Sequence, residues 1–309
     1  MRTLLITGGA GFIGSNLVKL LIDSGDEAVV LDDLSSGYRE NLPSGPGVRF
    51  VEGDVRNADL LQAAIEGCEV AFHLAASVGN TRSIEHPIED SSINVLGTLQ
   101  VLEAARRGGV RKVVFSSSAG IFGELKTVPI REDHPAEPDT PYGASKLGAE
   151  KLCLAYAKLY PLECVCLRYF NVYGVNQRYD AYGNVIPIFA HRVLRDEPLV
   201  IHGDGEQTRD FVNVRDVAMA NYRAAGARGV SGAFNIASGT RITINRLAAM
   251  IAEASGRRVT VQHGPARPGD VRHSLADVSA ARTAFGFDPA VTLDVGLPEY
   301  MRWATGARV

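Results

Sequence analysis

One early feature constrains the fold more than any other: the apolar run Thr3-Leu4-Leu5-Ile6-Thr7 breaks into Gly8-Gly9-Ala10-Gly11-Phe12-Ile13-Gly14 and continues at once with helical periodicity. A strand that turns this tightly into a helix is the opening of a βαβ unit if a further strand follows. Further apolar runs follow at 28–32, 48–54, 70–75, 112–117 and 163–169, separated by helix-like stretches at Phe12–Ser24, Ala58–Glu66, Asp90–Arg107 and Gly143–Leu159. Alternation of this kind predicts an α/β chain whose doubly wound parallel sheet is covered on both faces. After about Asn171 the elements shorten and the loops fill with Gly, Asp and Arg, which predicts a larger lobe at 1–170 and a smaller one at 171–309, with some crossing of chain between them.

With 309 residues, 46% of them hydrophobic, the chain can build such a core without staples. Thirty-two basic against 35 acidic residues give a formal charge of −3, so no bulk attraction to nucleic acid or an anionic membrane is expected. No apolar run approaches a membrane span, and glycines interrupt the apolar start, so a cytoplasmic protein without a cleaved leader is expected. Cys68, Cys153, Cys164 and Cys166 lack Cys-x-x-Cys spacing, and neither a metal site nor a disulfide is expected.

The glycine turn suits a dinucleotide. It lets a pyrophosphate approach the backbone and places it at a helix N-terminus, whose N–H groups attract an anion. Asp32 ends the second strand eighteen residues after Gly14, where a carboxylate can accept both adenosine ribose hydroxyls and repel a 2′-phosphate, favouring NAD over NADP. Thr140-Pro141-Tyr142-Gly143-Ala144-Ser145-Lys146 sets a tyrosine and a lysine four apart at a helix start, on one face. A phenol is a poor base at neutral pH, but a nearby ammonium favours its ionised form. The fifth strand ends in Ser116-Ser117-Ser118, which offers a second hydroxyl to the same substrate oxygen.

Together with His73-Leu74-Ala75-Ala76 and Asn94, these motifs resemble the extended short-chain dehydrogenases/reductases, whose fold is a Rossmann-type doubly wound sheet with a smaller C-terminal α/β substrate-binding lobe. The resemblance continues through Arg168-Tyr169-Phe170-Asn171-Val172-Tyr173-Gly174, Gly203-Asp204-Gly205, Thr208-Arg209-Asp210-Phe211 and Arg267-Pro268-Gly269-Asp270, which are similar to the segments that hold substrate in nucleotide-sugar epimerases and dehydratases. It implies Tyr142 as base, Lys146 as the residue that tunes it and binds nicotinamide ribose, and Ser118 as the second hydroxyl. It implies cofactor contacts from Gly8, Gly11, Phe12, Ile13, Gly14, Asp32, Leu34, Ser35, Gly37, Asp54, Val55, Leu74, Ala75, Ala76, Asn94, Ser116, Ser117, Tyr142, Lys146, Tyr169, Asn171 and Val172. Substrate contacts are implied at Ser83, Ser118, Asn171, Asn184, Val185, Arg209, Arg267, Asp270 and Ser274, with the two arginines on the diphosphate and Asp270 on the uridine ribose.

Dehydratases of this kind carry Asp-Glu just after a threonine near the end of the serine strand, whereas here Ser118-Ala119-Gly120-Ile121-Phe122-Gly123 has no carboxylate before Glu124. The resemblance therefore implies an NAD-dependent UDP-hexose 4-epimerase working through a transient 4-keto sugar. Phe122 departs from the tyrosine usual there, which puts one local hydrogen bond in doubt. Ser274 stands where a tyrosine would close the pocket beside the sugar C2 substituent, which implies that UDP-GlcNAc and UDP-GalNAc are accepted along with UDP-glucose and UDP-galactose. Two alternatives stay open: a UDP-glucuronate epimerase or decarboxylase using Arg178 for the carboxylate, and a non-catalytic dinucleotide-binding regulator. The resemblance also implies a homodimer through the helices at Asp90–Arg107 and Gly143–Leu159.

Overall fold

The structure, a computed structural model, describes residues 1–179, 183–266 and 271–306. Its first half runs β1 (Thr3–Thr7), α1 (Phe12–Asp23), β2 (Glu27–Asp32), β3 (Val48–Glu52), α2 (Ala58–Ile65), β4 (Val70–His73), α3 (Asn80–Glu85), α4 (Pro87–Ser91), a π-helical turn (Ser92–Gly97), α5 (Thr98–Arg107), β5 (Lys112–Ser118), α6 (Pro141–Leu159) and β6 (Glu163–Tyr169). The second half runs β7 (Asn171–Tyr173), α7 (Val185–Leu194), β8 (Leu199–His202), β9 (Thr208–Arg209), β10 (Phe211–Asn213), α8 (Val214–Gly226), β11 (Gly232–Ile236), β12 (Ile242–Thr243), α9 (Ile244–Ser255), β13 (Val261–Gly264), α10 (Ser279–Phe285) and α11 (Leu293–Gly306).

Seven strands form one parallel sheet in the order β11-β6-β5-β4-β1-β2-β3. Winding outward from β1 in both directions opens a crevice between β1 and β4 at the carboxyl ends of the strands, where ligands bind in sheets of this type. Alternate residues of β1 feed opposite faces. Leu4 and Ile6 join α1 and α8 through Leu17, Val18, Leu21 and Val217, while Leu5 joins α2, α5 and α6 through Leu61, Val101, Leu102 and Ala149. A third cluster, including Phe189, Leu199, Leu247, Ile251 and Tyr300, forms the core of the smaller lobe.

Two expectations need refinement. The stretch Asp90–Arg107 is not one helix, because α4 passes through the π-helical turn before α5 begins. That turn shifts the register and presents the buried Asn94 toward α6, where its amide meets Ser145 Oγ at 3.0 Å. Residues 232–236 also return to the main sheet as β11 beside β6, so the lobes interleave beyond residue 171.

Candidate active site

The glycines at the β1–α1 turn are there for space. Gly8 has φ +69°, and a Cβ on it would lie 2.5 Å from Ala75 N. A Cβ on Gly14 would lie 2.2 Å from the Gly8 carbonyl oxygen. No side chain caps α1 at Gly11, so the helix N-terminus formed by Phe12, Ile13 and Gly14 keeps the character of an anion site. Asp32 is buried at the end of β2, its Oδ2 accepting from Ala10 N at 2.9 Å and its Oδ1 from Leu34 N at 2.9 Å. Burial pushes this carboxyl above its ordinary value, while the two backbone donors oppose the rise. Two bonds leave acceptor capacity on the carboxylate for further hydroxyls. Ala10 O accepts from Tyr38 N and from Asn41 Nδ2, so the loop holding Leu34, Ser35 and Gly37 is tied down on the glycine turn. Leu34 itself adopts φ +58°, a conformation costly for a branched residue and absent from any sequence signal.

The other residues expected to hold the dinucleotide gather at the same edge. Leu74 N donates to Thr7 O at 3.0 Å and Ala75 N to Thr7 Oγ1 at 3.3 Å, which fixes the β4 exit beside the glycine turn. Asp54 binds Arg56, which also pairs with Glu89 at 3.1 Å, and Val55 packs on Gly97. Tyr169 ends β6 with its hydroxyl on Asn221 at 3.0 Å. The Ser117 hydroxyl donates to Glu150 at 2.7 Å, on the α6 side of the sheet, which leaves Ser116 and Ser118 facing the other way. A glycine cradle, an uncapped helix start and a strand-end carboxylate fit a dinucleotide.

Helix α6 carries the tyrosine and lysine expected at the reacting centre. Thr140 caps it by accepting from Gly143 N at 3.2 Å, and Pro141 occupies the first turn where its missing N–H costs nothing. Tyr142 faces Ser118 across the gap to β5, both lying around Gly120. Gly120 leaves the room: a Cβ there would lie 3.3 Å from Ser118 Oγ and 3.6 Å from the Tyr142 ring. Burial holds the phenol above its ordinary value, and the neighbouring Ser118 opposes the rise. Lys146, also buried, donates to Ser116 O at 3.0 Å, and burial pushes its ammonium down to about 8. Phe122 sits in an apolar slot, 5.4 Å from the His134 ring in an edge contact and 6.3 Å from Phe170, so the hydroxyl it lacks is replaced by aromatic packing. Glu124 is exposed, away from this apolar slot.

On the substrate side, β7 pairs with β10, and Asn171 Nδ2 donates to Asp210 O at 3.0 Å. Asn184 stands at the start of α7, just before Val185, with its amide 3.5 Å from Val172 O. Ser274, buried, donates its N–H to Thr208 O at 3.1 Å, next to Arg209, whose Nη1 reaches Thr208 O at 2.9 Å. Ser83 is buried with its hydroxyl on Asn80 O at 2.7 Å, and Asn80 Oδ1 accepts from Thr140 at the α6 cap. Arg267 and Asp270 lie outside the described residues. Arg178 donates to Glu40 at 2.6 Å and stacks 3.6 Å above the Tyr38 ring, on the loop that follows Asp32.

Sequence reasoning missed three buried polar groups, Asp90 packed against α6 and Ser145 and Glu150 on α6 itself. Their spacing has no signature beyond a polar residue in an otherwise core-facing position. Among the described residues no group of three His, Cys, Asp or Glu gathers as a metal site.

Fold and site together define a dinucleotide-dependent enzyme with a tyrosine and a lysine one turn apart at the head of α6. The chain belongs to the NAD dependent epimerase/dehydratase family, whose model it matches over residues 4–237. It is 42% identical over 302 residues to the UDP-glucose 4-epimerase of Mycolicibacterium smegmatis, with 96% of each chain covered. Among solved structures, the UDP-N-acetylglucosamine 4-epimerase of Methanobrevibacter ruminantium, in complex with UDP-N-acetylmuramic acid, superposes with a TM-score of 0.94 at 36% identity, over 98% of this chain and 97% of that one. The UDP-glucose 4-epimerase of Thermus thermophilus, in complex with NAD, gives 0.89 at 38% identity over 99% of both chains.

Proposed function

We propose that the chain is an NAD-dependent UDP-hexose 4-epimerase. The observation that carries the reading is Tyr142 at the head of α6, set beside Ser118 of β5 and one turn from Lys146, with no carboxylate from Ser118 to Gly123 to support elimination. Full-length similarity to UDP-sugar 4-epimerases supports the same reaction. Tyr142 takes the proton of the sugar 4-hydroxyl and later returns it, while Ser118 holds that oxygen by a hydrogen bond. Lys146 binds the nicotinamide ribose and Asp32 the adenosine ribose. NAD, when bound, supplies a hydride acceptor and donor at C4. Asn171, Asn184, Val185, Ser83 and Arg209 orient the nucleotide sugar, with Arg267 and Asp270 completing the diphosphate and uridine contacts. The 4-keto sugar that results turns over before reduction, which inverts C4.

The uronate alternative relied on Arg178, and the contacts of that residue with Glu40 and Tyr38 on the Asp32 side argue against it. Serine at 274 carries no aromatic ring to close the sugar pocket, and on that ground UDP-GlcNAc and UDP-GalNAc are expected substrates along with UDP-glucose and UDP-galactose. The test is incubation with each of the four sugars without added reductant, followed by separation of products. Ser274→Tyr is expected to depress the N-acetylated pair alone. Equal losses on both pairs would remove Ser274 as a size gate, and no interconversion of any sugar would overturn the functional reading.

A homodimer accompanies this reading. Leu102 is spent on the chain's own core, but Ile88 is 84% and Leu96 56% exposed on the α4–α5 segment, an apolar margin suited to a second copy. A monomeric mass by light scattering would contradict it. No helix of the described residues is long and apolar enough to cross a membrane.

A further inference from the structure

A fully buried carboxylate lies against the reactive helix without a role in the chemistry so far. Asp90, at 0% exposure near the end of α4, accepts from Ser145 Oγ at 2.6 Å through one oxygen and from Asn94 Nδ2 at 3.1 Å through the other. Both donors are neutral. Ser145 directly precedes Lys146 and lies three residues after Tyr142, whose carbonyl also accepts from Ser145 Oγ at 3.0 Å. Asn94 is held in turn by Ser77, donating to its carbonyl at 3.0 Å and accepting from its N–H at 2.9 Å. The cluster thus ties α4, the π-helical turn and the β4 exit to the first turns of α6.

We propose that Asp90 is a positioning residue for the epimerase pair, its buried carboxylate fixing Tyr142 and Lys146 through Ser145 and Asn94 and setting the pH range over which they work. This inference rests on the epimerase reading. The groups facing the pair from each packed element are few. Ser118 from β5 lies beside the phenol and opposes the rise in its titration. Ser116 O from β5 accepts from Lys146, the Phe115 ring lies 5.1 Å from its ammonium, and His73 from β4 and Cys153 on α6 stand nearby. Asp90 is the anion that acts on both members, opposing ionisation of Tyr142 and favouring the charged form of Lys146. A negative charge in that place moves both titrations upward together, which a purely structural contact does not do.

Asp90→Asn keeps the shape and removes the charge. The NAD-loaded variant and wild type are compared by kcat and KM against pH with UDP-galactose, and by ultraviolet difference titration of the tyrosine against the matching Tyr142→Phe proteins. Both limbs of the rate profile and the phenol titration are expected to move down by about one pH unit, the scale of removing one nearby buried charge, with KM and bound NAD unchanged. A lower rate with unmoved limbs and unmoved phenol would overturn the proposal. Ser145→Ala, which keeps the charge but cuts its link to α6, is expected to lower kcat about tenfold at unchanged KM and unmoved limbs. Should Asp90→Asn fail to fold, Ser145→Ala decides: wild-type kcat overturns the proposal. A wild type inactive on every UDP-hexose sinks the epimerase reading instead, and the tyrosine titration still judges Asp90.

Discussion

Glu150 lies one turn beyond Lys146 on α6 and is wholly buried, as is nearly all of Arg168 on β6. The carboxylate accepts from Arg168 Nε at 3.0 Å and Nη2 at 2.7 Å, and from Ser117 Oγ at 2.7 Å. Arg168 spends a further N–H on Glu132 O at 2.8 Å and lies 5.2 Å from the Phe122 ring. Glu150→Ala removes the only carboxylate among these contacts and strands a buried guanidinium on one carbonyl. Breaking a buried pair from one side costs about 3–5 kcal/mol. The orphaned Ser117 hydroxyl adds about 1 kcal/mol. At about 2 °C per kcal/mol for a chain of this size, the melting temperature of the NAD-loaded protein falls by roughly 8–12 °C. The control is Glu150→Leu combined with Arg168→Met, which removes both charges and recovers most of the loss, because an apolar pair carries no desolvation cost. Thermal melts read both. A drop below about 2 °C in the single variant, or a double variant no better than the single, would refute the view that this pair pins α6 to the sheet.

Removing the phenol by Tyr142→Phe should lower kcat by roughly 10²–10⁴-fold with nucleotide-sugar binding retained, and near-wild-type turnover would rule out the assigned base. Asp32→Ala should weaken NAD binding and relax discrimination against NADP; tighter binding of NADP than NAD by the wild type, measured by calorimetry on the stripped protein, would reverse the reading of Asp32. His73 is buried between Thr7 Oγ1 at 2.7 Å and Thr98 Oγ1 at 2.9 Å, and burial pushes its imidazole from 6.5 down to about 3. The unfolded chain then binds a proton that the folded one refuses, so this contribution to stability is complete above pH 6.5 and is lost as pH falls toward 3. Denaturant midpoints across that range should decline less steeply in His73→Gln; equal slopes would refute the assignment.

The parts of the site that were legible in the sequence are those whose chemistry is local. The glycine turn, Asp32 at a strand end and Tyr142 one turn from Lys146 each owe their geometry to a short stretch of backbone, so spacing alone carries it. Alternating apolar runs likewise gave the parallel sheet, because the crossover rule leaves few topologies. What spacing could not carry is pairing across distance. Asp90 meets Ser145 55 residues away, and Glu150 meets Arg168 18 residues away on a different element. The break in Asp90–Arg107 escaped for another reason: a π-helical turn preserves helical periodicity on both sides while shifting the register between them. β11 was hidden because Gly232-Ala233-Phe234-Asn235-Ile236 is too short and mixed to read as a sheet strand until β6 is there to pair with it.

Arg178 shows how such a limit bears on specificity. Read along the chain, a cation seven residues after Asn171 is a fair partner for a carboxylate on the sugar. In the fold, the same residue crosses 138 positions to Glu40 and lies on Tyr38. The neighbouring contacts run the same way, with Asn176 Nδ2 on Ser15 Oγ at 2.9 Å and Asn16 Nδ2 on Val175 O at 2.9 Å. The segment after β7 therefore braces the α1 N-terminus and the loop after Asp32, both on the dinucleotide side. A uronate bound through Arg178 would have to compete with an existing carboxylate and give up a stacked ring. A neutral hexose at the Tyr142 end of the crevice makes no such demand.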